Sequence, residues 1–453
     1  MSFWIRYIYN TSILIAGLLL LSSCQRESVK LKWDKNQKGE IRTLVLADDT
    51  KVKYTAYEKI FYTSKESDST YQYMNIYVPC RKREDNPPIF LKTYVGGYMA
   101  SKARGPLAND ATAYALSEGY VVCIVGSRGW NSKFMNMHVG RAPAAIMDLK
   151  AAVRYLHAND SIMPGDAERI IADGTSAGGA LVALLGATGN NADYALPLDL
   201  LGAADARDDI WTVVSYCPVT DLEHSDMAYE WQFCSINDVR GLSDRQLLLS
   251  SQLASSYPDY LESQGVTEDK MDSWIRKYIL QAASVAVSEG QEIAPETGVS
   301  LSDTTVDVSK FLRYVAGVQP LKSPPAFDAL NVVNKYSTFE NKLFGSVNGQ
   351  DANFTEFAVK NQLSGNYKLS EDVKWKTHLM NPMEFIGKKG STMSKHWYIR
   401  YGVLDRDTSF PVQLLLKHKL KVAGADVNFA LQWGEAHSGD YQLTNLFEWL
   451  AKL

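Results

Sequence analysis

The chain has 453 residues, 46% of them hydrophobic and 22% charged, with a formal net charge of −4 at pH 7. That length holds one large domain or two ordinary ones, and the apolar content is that of a globular protein. A slightly acidic balance without a basic block argues against nucleic acid as a partner, and no Cys-x-x-Cys or His-Glu-x-x-His spacing suggests a metal.

The first segment, residues 1–23, carries Arg6, then the apolar run Ile13–Leu21, then small residues. This is the layout of a secretory signal, too short and too quickly ended to span a membrane. The run closes on Leu21-Ser22-Ser23-Cys24, which resembles the bacterial lipobox. The resemblance implies that Cys24 is lipidated and becomes the first mature residue. Gln25 follows where a retention signal would place Asp, so the expected destination is the outer membrane, with the chain held by a lipid anchor. Of the other cysteines, Cys123 and Cys217 sit in apolar, strand-like runs and are expected to be buried. A Cys80–Cys234 bridge is permitted by the compartment but not established by the sequence.

Residues 24–41 are polar at first and are expected to be a tether. Strand-like stretches around Thr43–Leu46 and Tyr71–Val78 then suggest an antiparallel opening. From Pro88 onward apolar strands alternate with amphipathic helices. The strands are Pro88–Val95, Tyr120–Val125, Arg169–Ala172, Trp211–Cys217, His396–Tyr401 and Val427–Leu431. Between them, Ile146, Leu149, Val153 and Leu156 fall on one helical face. Such alternation predicts a mostly parallel sheet covered by helices on both faces.

From about residue 223 to 394 the alternation stops. A structureless loop of that size is improbable, so an inserted lid domain is expected over 223–394, dividing the core into 42–222 and 395–453.

Gly174-Thr175-Ser176-Ala177-Gly178-Gly179 follows a strand and precedes a helix of small residues. A Gly-x-Ser-x-Gly motif in that context is a nucleophile elbow, in which a sharp turn lifts Ser176 above the sheet. Gly174 and Gly178 leave room for backbone that a Cβ would strike.

A serine hydroxyl needs a histidine to take its proton and a carboxylate to orient that histidine. In this arrangement the order is serine, acid, histidine. Of seven histidines, His138 and His157 precede the serine, and His224 and His378 lie in or beside the insert. His396 opens a strand and His418 lies in a basic helix, whereas His437 stands in a loop just past the last strand. His437 is therefore the candidate base. The loop Leu404-Asp405-Arg406-Asp407 offers two candidate acids, and Asp221, at the end of an earlier strand, competes with them. Backbone N–H groups of Ala177 and of Gly97, in the Gly96-Gly97-Tyr98 loop, are expected to form the oxyanion hole.

Four stretches together resemble the bacterial tannase branch of the α/β hydrolases. They are Pro164-Gly165 with Gly174–Gly179, Tyr216–Leu222, Arg400–Gly402 through Asp407-Thr408-Ser409, and His437–Tyr441 with Leu446–Trp449. The resemblance implies an α/β-hydrolase fold and assigns Asp405 to the triad. It also implies that Asp407, with Lys342 and Glu356 from the lid, binds the hydroxyls of a galloyl ring. Thr175 and Ala436 stand where a disulfide-bearing group of related esterases has cysteines, which sets that group aside. The expected activity is hydrolysis of a small aromatic, galloyl-type ester through an acyl-enzyme, without cofactor or metal. Feruloyl or acetyl esters of plant polysaccharide are the alternative within ester chemistry. A non-catalytic lipoprotein that binds polyphenols or glycans is the alternative outside it.

Overall fold

Nine strands hydrogen-bond into one sheet in the order β1-β2-β3-β5-β4-β6-β7-β8-β9. They are β1 (Glu40–Val45), β2 (Lys51–Phe61), β3 (Tyr73–Pro79), β4 (Pro88–Thr93), β5 (Val121–Val125), β6 (Asp166–Thr175), β7 (Thr212–Tyr216), β8 (His396–Gly402) and β9 (Asp426–Gln432). This computed structural model describes residues 31–453 except Asn366, so the signal segment and Cys24 lie outside the described residues. None of the described helices is long and apolar enough to cross a membrane.

Strands β1 to β3 pair antiparallel, and β3 joins β5 antiparallel. The other six run parallel. Helices cover both faces of this parallel part, which explains why β4, β5 and β7 are buried at every position and mostly apolar. The fold is that of an α/β hydrolase. Strand β2 is absent from the sequence-based expectation. Its alternation is interrupted by a bulge between Tyr57 and Ile60, where Lys59 takes a positive φ of 57°.

The expected tether needs correction at its C-terminal end. Trp33 is buried, donates its backbone N–H to Asn159 Oδ1 at 2.7 Å and meets the Tyr57 ring edge-on at 5.0 Å. A polar average over residues 24–41 conceals this one apolar anchor. The chain is docked from Leu31 and enters β1 at Glu40. Cys80 and Cys234 are free thiols.

Strands β7 and β8 are neighbours in the sheet, yet the whole stretch between Tyr216 and His396 separates them in sequence. That stretch contains the helices Leu222–Phe233, Asp244–Ser263, Glu268–Ser288 and Val308–Val318, followed by three shorter ones. Its apolar residues Leu261, Met271, Ile279, Phe311 and Phe327 belong to the same continuous core as the sheet. The irregular part after residue 320 is organised by a buried carboxylate. Asp328 accepts hydrogen bonds from Asn341 and Asn353 side chains (2.6 and 2.8 Å), from the N–H groups of Phe354 and Thr355 (2.8 and 2.7 Å), and from the Thr355 hydroxyl at 2.8 Å.

Replacing Asp328 with Ala strands those donors in the interior, so a loss of about 3 kcal/mol is expected. Urea unfolding measures it, and a loss under 1 kcal/mol would show that the insert does not depend on this node.

Candidate active site

Strand β6 ends at Thr175 and the helix Ala177–Ala187 begins one residue later, leaving Ser176 alone in the turn. Its φ of 60° and ψ of −123° are strained for a residue with a Cβ. The turn is held by the Ser176 N–H, which donates to the Tyr216 carbonyl at 2.9 Å, and by the Gly178 N–H, which donates to Val95 at 3.0 Å. A Cβ on Gly178 would lie 2.9 Å from the Val95 oxygen, and one on Gly174 would strike the Gly178 carbonyl.

The three polar groups needed to activate the serine converge here. His437 Nε2 lies 2.7 Å from Ser176 Oγ, and His437 Nδ1 lies 2.7 Å from Asp405 Oδ2. Asp405 is buried, and its other oxygen accepts the Asp407 N–H at 2.7 Å. Burial works against a charged imidazole, but the Asp405 carboxylate outweighs it by charge and hydrogen bond, raising the pKa of His437. Asp221 is elsewhere. Its buried carboxylate accepts from His224 Nδ1 (2.8 Å), the Tyr260 hydroxyl (2.6 Å) and Asn381 (3.1 Å), so it ties parts of the insert together.

Cys217, Asp405 and His437 are the trio among the described residues whose donor atoms lie close enough, within 4.8 Å, to hold a metal ion. Burial pushes the Cys217 thiol pKa up, and the thiol donates to the Ser438 carbonyl at 3.3 Å, supporting the histidine loop.

A second support was not singled out from the sequence. Lys92, opposite Asp173 in the pairing of β4 with β6, bonds Asp173 at 2.7 Å and both oxygens of Asp440 at 2.8 and 3.0 Å. Asp173 stands three residues before Ser176 and Asp440 three after His437, so one ammonium links both segments. Burial opposes its charge, and the two carboxylates more than offset that, raising its pKa. One cation cannot balance two carboxylates. Burial, only partly countered by Lys92, together with the charge of Asp440 pushes Asp173 up to about 7. The available signal was a single lysine in the apolar run Pro88–Val95.

A cavity of about 650 Å³ opens over Ser176 and His437. Gly97 and Ala177 both line it. Ala177 is the first helical residue, where N–H groups have no partner within the helix. Pro324, Val333, Tyr336 and Phe339 supply apolar wall, and the charged lining is Lys322, Glu340, Arg406 and Asp407. Lys322 Nζ lies 3.8 Å from Asp407 Oδ1. Burial pushes the Glu340 carboxyl above its usual range, with Lys322 opposing.

Lys342 and Glu356, expected at the ring, do not line this cavity. On the short helix Phe339–Leu343, residues two apart point about 200° apart. With Glu340 on the cavity side, Lys342 turns away and places its Nζ 4.6 Å from the Trp130 ring centre. Glu356 is exposed in the first turn of the helix Glu356–Asn361, a favourable place for an acid at a helix N-terminus. Lys322 and Glu340 line the cavity where these two do not, and no motif spacing marks either of them.

The family model BD-FAE matches residues 74–261. No curated protein matches the chain. Among solved structures, the tannase of Fusobacterium nucleatum is 35% identical, covering 93% of this chain and 99% of that one, with a TM-score of 0.84. The tannin acyl hydrolase of Lactobacillus plantarum is 32% identical over 93% of this chain and 98% of that one, with a TM-score of 0.85. A tannin acyl hydrolase in complex with ethyl gallate is also similar, at 32% identity over 93% and 98%, with a TM-score of 0.84.

The Asp173 titration has a measurable consequence. An unfolded chain loses this proton near pH ~3.9, whereas the folded protein keeps it to about pH 7. The folded state binds more protons between these limits. Its contribution to stability is therefore fully present below the lower value and lost as pH rises through the upper one. Urea unfolding at pH 5 and pH 8 should show the loss, and Asp173→Asn should diminish it; an unchanged difference in the variant would count against this assignment.

Proposed function

Since the chain belongs to the tannase family and is a carboxylic ester hydrolase, we propose that it hydrolyses galloyl esters through an acyl-enzyme on Ser176. The observation that carries this reading is the Ser176–His437–Asp405 relay, at 2.7 Å for each link, opening onto a cavity with two carboxylates and an ammonium.

The chemistry follows from the geometry. Ser176 Oγ attacks the ester carbonyl as His437 Nε2 takes its proton, and Asp405 steadies the imidazolium. The oxyanion that forms accepts from the Ala177 and Gly97 N–H groups, at the positive end of a helix and in the neighbouring loop. His437 then returns the proton to the leaving alcohol, and water activated by the same imidazole cleaves the galloyl-serine ester.

A trihydroxyphenyl ring presents adjacent O–H donors. Asp407 and Glu340 supply acceptors, and Lys322 donates to the ring oxygens. These three replace the set in which Lys342 and Glu356 stood. The ethyl gallate and 3,4-dihydroxybenzoate complexes of similar proteins support a ring of this class. Anchoring through a lipid on Cys24, at the outer membrane, belongs to the same proposal and rests on the lipobox resemblance alone.

Hydrolysis of methyl gallate, methyl ferulate and an acetyl ester by the mature protein tests the substrate. Ser176→Ala should lower kcat by on the order of 10⁵-fold or more, and Asp405→Asn by about 10⁴-fold. Lys322→Met and Asp407→Asn should each raise KM for methyl gallate about tenfold while leaving the acetyl ester alone. Glu356→Gln should change neither. Preference for ferulate or acetate would keep the serine mechanism and remove the ring roles.

The anchor has its own test in cells. Cys24→Ser should abolish incorporation of labelled palmitate and move the protein to the soluble fraction; continued labelling of that variant would refute lipidation at Cys24.

A further inference from the structure

We infer that Trp130 is a positioning residue for the oxyanion hole, and that the insert holds Trp130 in place. The inference rests on the serine-ester mechanism above but not on its galloyl preference.

Gly97 and Tyr98 line the cavity beside Ser176, and both have a positive φ of 54°. For Tyr98 that conformation is unfavourable, so its surroundings must impose it. In a trans peptide the carbonyl and the N–H point in opposite directions. Tying the carbonyl therefore aims the N–H of the next residue. The Gly96 carbonyl accepts the Met99 N–H at 3.0 Å, which fixes the Gly97 N–H. The Gly97 carbonyl accepts the indole Nε1–H of Trp130 at 2.9 Å, so the peptides on both sides of Gly97 are held and its N–H cannot swing away. Trp130 also donates its own backbone N–H to the Tyr98 carbonyl at 3.1 Å, so one residue grips the loop twice.

The indole is itself covered from the insert. Phe339 stacks on it with centroids 6.0 Å apart and planes 20° from parallel. The same phenyl ring lies against Gly97, where a Cβ would come within 2.7 Å of it. Lys342 places its ammonium 4.6 Å from the indole centre, an attractive cation–π arrangement. The helix Phe339–Leu343 that carries both residues is tied to the core by the Arg141 guanidinium on the Lys342 carbonyl and by the Ala142 N–H on Leu343 at 2.8 Å. Lys342 thus serves the site through Trp130, without touching the substrate.

Trp130→Phe keeps an aromatic face for Phe339 and Lys342 and removes only the indole donor. On both p-nitrophenyl acetate and methyl gallate, kcat should fall about tenfold or more, with KM changed less than about twofold. Phenylboronic acid becomes tetrahedral on a serine and places an anionic oxygen in the hole, so its inhibition constant should rise by the same factor. Affinity for pyrogallol, which keeps the three ring hydroxyls but has no carboxyl oxygen to enter the hole, should stay constant. Phe339→Leu uncovers Gly97 without altering the hydrogen bond and should lower kcat in the same direction by a smaller factor.

Wild-type kcat and boronate inhibition in Trp130→Phe would overturn the inference. So would a loss confined to methyl gallate, or one that appears only in KM. A wild-type protein that cleaves the acetate but not the gallate would instead remove the galloyl reading and leave this one standing.

Discussion

The site is organised around a backbone that must come very close to its neighbours at Ser176. The serine sits at positive φ between a strand and a helix, with its N–H on the Tyr216 carbonyl and that of Gly178 on Val95. Strands β4, β6 and β7 are thereby fixed to the same turn from both sides. Only glycine at 174 and 178 permits the approach. Because the strain is imposed by hydrogen bonds from adjacent strands, it persists without help from a ligand. The oxyanion loop, the histidine loop and the acid loop all lie along the carboxyl edge of the parallel strands, and so inherit their positions from this turn.

Buried charges finish the alignment that hydrophobic packing leaves loose. Apolar contacts fix layers but not the register of a loop at a strand end, whereas a hydrogen-bonded ion pair fixes both distance and direction. Lys92 does this for the nucleophile strand and the histidine loop. Arg128 does it for the loop that carries Trp130, bonding Asp148 through both its backbone N–H (2.8 Å) and its guanidinium (2.7 Å). Such pairs add little net stability when well made but are costly to break, so they act chiefly as locating devices.

The insert is more than a cover. It shares the core of the sheet, supplies Lys322, Glu340 and much of the apolar lining of the cavity, and reaches the Gly96-Gly97-Tyr98 loop through Phe339. In the proposed mechanism, recognition of the acyl ring and support of the oxyanion loop are thus built on one body, fastened through Asp328, Asp221 and Arg141. The short helix Phe339–Leu343 divides its faces between them, with Glu340 toward the cavity and Lys342 toward Trp130.

Much of the fold was legible in the sequence because its signals are local. Runs dominated by apolar residues mark the parallel strands, since a strand buried on both faces has no regular polar alternation, and the 3.6-residue period of Ile146, Leu149, Val153 and Leu156 marks a helix. Strand order around Gly174–Gly179 pointed to Ser176, and chain order pointed to His437. The sequence left Asp221, Asp405 and Asp407 as competing acids; family resemblance favoured Asp405, and the fold brought it within 2.7 Å of His437. Pattern had no hold on β2, broken by its bulge, or on Trp33, one apolar residue in a polar stretch. Least legible was the insert. Its helices follow no strand rhythm, and whether Glu340 or Lys342 faces the cavity depends on which side of a one-turn helix meets the core. That rotation is set by partners distant in sequence, Trp130 and Arg141 among them, so only the tertiary structure decided it.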